Sequence, residues 1–232
     1  MTVPKRDLAL IWSMALAGLM SALIAVCTSY SVGLHAASQY NNSMKFGQTY
    51  LPGAIFGVII SCCLALWGYL RRPWKFVVVT IASTIAYFVS FSVAVSVELY
   101  SPFVVPAKRG DVSGQALFVG GLAGAFCVTC ALAILVNSGL PWHRRLDKAI
   151  YWSTAGAFLG VIGWALGPSL GLALWHIAHS MGLGPPADQY RNHIFSLWAI
   201  WQVGMGLVLG FLVNGNRAVG QLARDKSQKQ ST

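Results

Sequence analysis

Three groups of side chains have the types and spacing that chemistry requires. Cys127 and Cys130 stand three apart, the separation of a redox dithiol. A reactive thiolate needs solvent and nearby positive charge. These two, like Cys27, Cys62 and Cys63, lie in apolar runs, so all five read as small packing residues. His176 and His179 are also three apart on one helix face, where they can hold a divalent metal with His35 or His193 completing the set. No carboxylate is placed to orient their rings, and beside Trp175 both suit the headgroup level of a membrane. The third group is polar but uncharged. Ser83, Tyr87 and Ser90 form a stripe ending near Glu98, and Gln202 follows a tryptophan-rich run. These four are the candidate lining of a polar path. A serine can instead satisfy itself on a carbonyl of the preceding turn. An unpaired amide in hydrocarbon costs roughly 2–7 kcal/mol, so Gln202 is expected to face other helices and find a partner.

The parts of a soluble enzyme are missing. There is no Gly-x-Ser-x-Gly elbow and no Gly-x-x-x-x-Gly-Lys-Ser/Thr phosphate loop, so neither a catalytic residue nor a cofactor is assigned. The six acidic residues, Asp7, Glu98, Asp111, Asp147, Asp188 and Asp225, fall in loops or at the ends of apolar segments, and no Lys or Arg lies inside one. Ion-coupled pumps and proton relays keep ionisable groups at membrane depth, which argues against both.

The elements that must hold these residues follow from composition. With 56% of residues hydrophobic and 9% charged, the chain departs from water-soluble domains, in which about a quarter of residues carry charge. Six apolar segments, at about 8–30, 51–70, 76–97, 115–137, 149–179 and 194–214, are each long enough to cross a hydrocarbon layer of roughly 30 Å as a helix. A barrel would alternate apolar and polar residues instead. The expected fold is an all-α integral membrane protein with six transmembrane helices, one polytopic domain over 1–232 ending in a short basic tail at 215–232. The first segment follows Lys5 and Arg6 but exceeds a secretory h-region, and reads as an uncleaved helix. In the fifth, Pro168 removes a backbone hydrogen bond and is expected to kink the helix or turn it along the interface.

Basic residues set the orientation, because they are retained on the cytoplasmic side. With the N-terminus inside, Lys5, Arg6, Arg71, Arg72, Lys75, Arg144, Arg145, Lys148, Arg217, Arg224, Lys226 and Lys229 are inner; Lys45, Lys108, Arg109 and Arg191 are outer. Both termini are therefore predicted to be cytoplasmic in a plasma membrane, with a bacterial inner membrane the leading assignment. The formal charge of +10 is spread over short clusters at segment ends. That pattern suits the lipid bilayer, with its anionic headgroups, and not nucleic acid.

Small residues supply the packing. Gly156, Gly160, Gly163, Gly167 and Gly171 lie along one face of the fifth segment; Ala15, Gly18, Ala22, Ala25 and Ser29 lie along one face of the first. In lipid such faces let backbones approach closely. The first stripe, being terminal, is also placed to dock a partner membrane protein or a second copy. Two hairpins echo each other, Gly53 and Gly57 matching Gly120 and Gly124, and Arg71-Arg72-Pro73-Trp74 paralleling Pro141-Trp142-His143-Arg144. A true duplication would be a parallel repeat about an axis along the membrane normal.

The leading functional expectation is permeation or uptake of a small neutral or weakly polar solute. The alternatives are a non-catalytic anchoring or assembly subunit of a membrane complex, and a membrane redox or metal protein using His176 and His179. In size, helix count and a first helix rich in small residues, the chain resembles the substrate-binding membrane subunits of vitamin uptake systems. That likeness is at the level of fold, with no shared motif.

Overall fold

The computed structural model describes residues 5–36, 50–100, 113–136, 141–180 and 199–214, with side chains described mainly over 8–25 of the first helix and 142–167 of the fifth. Every element among these residues is helical: α1 (Lys5–Ala36), α2 (Leu51–Leu66), α3 (Pro73–Tyr100), α4 (Gly114–Val136), α5 (Trp142–Ser180) and α6 (Ala199–Asn214). Residues 37–49, residues 181–198 with His193, and the basic tail at 215–232 lie outside the described residues.

Four helices, α1, α3, α4 and α5, contain stretches long and apolar enough to cross a membrane. Of the six spans expected from the sequence, these four reach that length among the described residues. With 16 residues, α2 is about 24 Å long, short of the roughly 30 Å hydrocarbon layer, and the described part of α6 is likewise a shorter apolar helix. The cause of the early end of α2 is local. Gly68 adopts φ +79°, its N–H donates to the Ala65 carbonyl at 2.9 Å, and the Tyr69 N–H donates to the Leu64 carbonyl at 2.9 Å. This is a Schellman stop, which only a residue tolerant of the left-handed region makes cheaply. Residues 67–70, expected to be helical, form the turn. Pro73 then opens α3, where its missing N–H is no loss in a first turn.

Polar residues tie the opposite end of α3 to the start of α4. Ser113 caps α4, its Oγ accepting the Ala116 N–H at 3.2 Å, while the Glu98 carboxylate accepts the Ser113 N–H at 2.9 Å. A carboxylate at a helix N-terminus also meets the positive end of the helix dipole. Replacing Ser113 with Ala is expected to lower stability by about 1 kcal/mol. A thermal melt in detergent would show this, and an unshifted midpoint would deny the cap its role.

The helix α5 runs unbroken through Pro168 for 39 residues, about 58 Å. The proline therefore does not end it, and its far end extends well beyond one hydrocarbon thickness.

Helices adjacent in sequence pack as neighbours, α1 on α2, α2 on α3, α3 on α4 and α4 on α5. The last helix fills the middle. Of the α6 residues only Phe211 is exposed, and it stacks on Trp152 of α5 with ring centroids 5.9 Å apart. A helix buried all round is apolar all round, which α6 is except at Gln202 and Asn214. On the outside the pattern reverses that of a water-soluble protein: Trp12, Leu16, Ile85, Phe91 and Phe158 stand exposed on three different helices. So much outward apolar surface is the finish a hydrocarbon solvent requires.

Glycines make the seams. Gly18 of α1 lies against the Gln202 backbone, and in return Gly206 and Gly210 of α6 lie against Met14 and Ile11. Gly121 and Gly156 meet across α4 and α5, and Gly160 meets the Leu117 carbonyl. The hairpin echo does not carry into equivalent packing. Gly53 and Gly57 pack forward onto α3 at Thr80, Ser83 and Tyr87, whereas Gly120 and Gly124 pack backward onto the same α3 at Ala86, Ser90 and Ala94. What the hairpins share is a proline-tryptophan pair at the entry to the next helix, with basic residues beside it.

Candidate functional site

Gln202 is fully buried where three helices meet. Its Oε1 accepts a hydrogen bond from Ser21 Oγ of α1 at 2.9 Å, and its Nε2 donates to the Pro52 carbonyl of α2 at 3.4 Å. The small-residue stripe of α1 makes this geometry possible, because a side chain at Gly18 would collide with the Gln202 carbonyl.

From α3 the Tyr87 side chain reaches the same place over Gly53. A Cβ at Gly53 would lie 2.7 Å from the Ser83 carbonyl and 3.0 Å from the Tyr87 Cβ, so α2 and α3 touch backbone to backbone here. The Tyr87 ring meets Trp201 edge-on at 5.0 Å between centroids, and Phe56 lies tilted against Trp201 at 6.0 Å. Edge-to-face aromatic pairs at these separations hold one another's orientation. The Tyr87 hydroxyl is turned toward the Gln202 side chain but completes no hydrogen bond. Trp201 Nε1, Ser83 Oγ and Thr80 Oγ1 are also buried and unpaired. Each such atom costs about 1–3 kcal/mol, and folded cores hold few of them. Here three lie along one face of α3, at Thr80, Ser83 and Tyr87, and the fourth is on Trp201 of α6, against which the Tyr87 ring packs.

Of the residues picked out by type and spacing, the structure brings Ser83, Tyr87 and Gln202 to one side of the bundle. Ser90 goes elsewhere. At 100° per residue it stands about 60° around α3 from Tyr87, and it is half-buried against Gly124 of α4. Glu98, at the end of that stripe, caps α4. Ala22 is buried on the α1 face that holds Gly18, Gly156 and Gly160 face α4, and Gly163 and Gly167 are buried. His176 is exposed on the distal part of α5, while the side chain of His179 lies outside the described residues. Among the described residues no group of three or more His, Cys, Asp or Glu is gathered closely enough for a metal. Cys63, Cys127 and Cys130 are half-buried free thiols, and Cys62 is exposed.

The sequence reading passed over Ser21, Phe56, Thr80 and Trp201. Ser21 had a signal, a hydroxyl three residues past Gly18 beside the small-residue stripe, and Trp201 abuts Gln202. Phe56 and Thr80 are ordinary members of apolar runs and carried none.

Set against protein-family models, curated proteins and solved structures, the chain matches none. The reading of the site therefore rests on its own geometry.

Proposed function

We propose that this is a six-helix membrane protein that passes or takes up a small neutral, weakly polar solute, recognised by the cluster of Tyr87, Trp201 and Gln202. The observation that carries the reading is the set of four buried, unpaired polar atoms, Thr80 Oγ1, Ser83 Oγ, Tyr87 Oη and Trp201 Nε1, beside an aromatic pair. Their chemistry defines the guest. Three hydroxyls and an indole N–H carry no formal charge, so they suit a solute with hydrogen-bonding groups and no net charge. Flat apolar faces on Trp201 and Phe56 suit a guest with an apolar or planar body.

The proposed orientation keeps both termini on the cytoplasmic face of a plasma membrane. In its support, the basic turn before α3 and the basic start of α5 both border the last turn of α4: Lys75 Nζ donates to the Leu135 carbonyl at 2.8 Å, and α5 starts at Trp142, six residues after α4 ends. Those are two of the clusters that the charge asymmetry assigns to the inner side.

Reconstituted vesicles test the function directly. Protein-dependent uptake of at least one member of a panel of neutral hydrogen-bonding solutes is expected, with no uptake of ions of similar size. Equal leakage in vesicles with and without protein across the panel would refute the reading. The anchoring and metal alternatives draw no observation of their own: the α1 stripe expected to dock a partner is filled by α6 of the same chain.

A further inference from the structure

A second polar feature lies at the end of the bundle that carries the α2–α3 turn. That turn and the last turn of α4 enclose an open cleft of about 570 Å³. Arg71, Arg72 and Lys75 line it, together with Tyr69, Trp74 and the apolar residues 134–136. We propose that this cleft binds a phosphate ester, the group that an acidic phospholipid headgroup presents.

The placement of the basic residues follows from the Schellman stop described above. It tucks Leu70 inward, at 6% exposure, and leaves Arg71 and Arg72 exposed at the rim. Neither guanidinium group has a hydrogen bond or ion pair among the described residues, so both forks are available. Planar guanidinium groups match phosphate oxygens two at a time, which a single ammonium does not.

The helix ends reinforce this arrangement. The N-terminus of α3, starting at Pro73, opens beside the arginines and contributes the positive end of its dipole. The C-terminus of α4 would by itself repel an anion. Lys75 corrects that, since its ammonium donates to the Leu135 carbonyl at 2.8 Å and lies 5.9 Å from the centroid of the Trp74 ring. Two guanidinium groups, an ammonium and a helix N-terminus thus converge on one cleft. The half-exposed Trp74 ring and the exposed Ile134 offer an apolar border suited to the start of an acyl chain.

Native mass spectrometry of the full-length protein in a neutral detergent tests the proposal, with phosphatidylglycerol as the probe and diacylglycerol as the phosphate-free comparison. Phosphatidylglycerol should remain bound and diacylglycerol should not. The double variant Arg71→Ala, Arg72→Ala should bind the phospholipid about tenfold or more weakly, and Arg71→Lys, Arg72→Lys should recover part of the loss. Arg144→Ala, Arg145→Ala removes the same charge from the nearby start of α5 and should bind like the wild type. Equal retention by the Arg71/Arg72 alanine variant, equal loss in the Arg144/Arg145 variant, or equal binding of diacylglycerol would each overturn the site. Excess glycerol phosphate then separates the two sources of the group. Displacement of the lipid would show that the cleft also takes soluble phosphate esters, and no displacement that it takes the phosphate only with its acyl chains attached.

Discussion

Gly206→Leu is expected to leave no folded, monodisperse protein. Gly206 faces the Met14 carbonyl and the Ala15 Cα of α1 so closely that even a Cβ has no room, and both obstacles are backbone. A flexible side chain can swing away from an intruder, but a helix backbone yields only if the whole helix moves. Here the helix that would move is α6, which touches α1 through Gly206, α2 and α3 through Trp201, and α5 through Phe211. Overpacking that side chains can absorb costs about 1–3 kcal/mol. A clash that separates backbones belongs among the rare losses of about 4–5 kcal/mol or more, a large part of a native protein's whole margin. Size-exclusion profile and thermal midpoint in detergent are the measurements. Gly68→Ala is the comparison, because nothing surrounds Gly68 and only its positive φ is at stake; it should cost about 1–2 kcal/mol. A Gly206→Leu protein that elutes and melts like the wild type would mean that α1 and α6 do not pack along this seam.

The same seam shows what could be read in advance. Small residues at helical spacing identify a face where backbones approach, and Gly18 and Gly156 lie on such faces. Spacing says nothing about which helix covers the face. That α6 covers α1 is a contact between residues nearly two hundred positions apart, and no local pattern encodes it. The same holds for the polar stripe on α3: Tyr87 and Ser90 look equivalent in projection, yet one neighbour lies to each side of the helix, and a 60° difference sends them to different interfaces. Hydropathy located each of the six described helices but overran α2, because Trp67, Tyr69 and Leu70 are as apolar as the helix they terminate, and the stop is set by the backbone conformation of one glycine. Glu98 was legible as a residue at a helix end, but its use as a cap needed the position of Ser113 in space.

Tyr87→Phe separates a structural hydroxyl from a functional one. If the Tyr87 hydroxyl served the fold it would have a partner, and its loss would cost about 1 kcal/mol. The structure gives it none, so the phenylalanine variant, which keeps the edge-on contact with Trp201, should melt at or slightly above the wild-type temperature. Uptake of the transported solute should nevertheless fall about tenfold, the equivalent of one hydrogen bond to the guest. Gln202→Leu should behave differently. Its amide is engaged on both sides, by Ser21 and by the Pro52 carbonyl, so its removal loosens the junction of α1, α2 and α6 and should cost about 0.6–1.7 kcal/mol, the range for hydrogen bonds between helices in membranes. Ser21 can turn back to a carbonyl of its own helix, which holds the loss to that range. The contrast decides the role of the cluster. Reduced uptake with unchanged stability in Tyr87→Phe places the hydroxyl against the solute; a destabilised Tyr87→Phe with normal uptake per folded molecule would make the cluster part of the scaffold and remove it from the path.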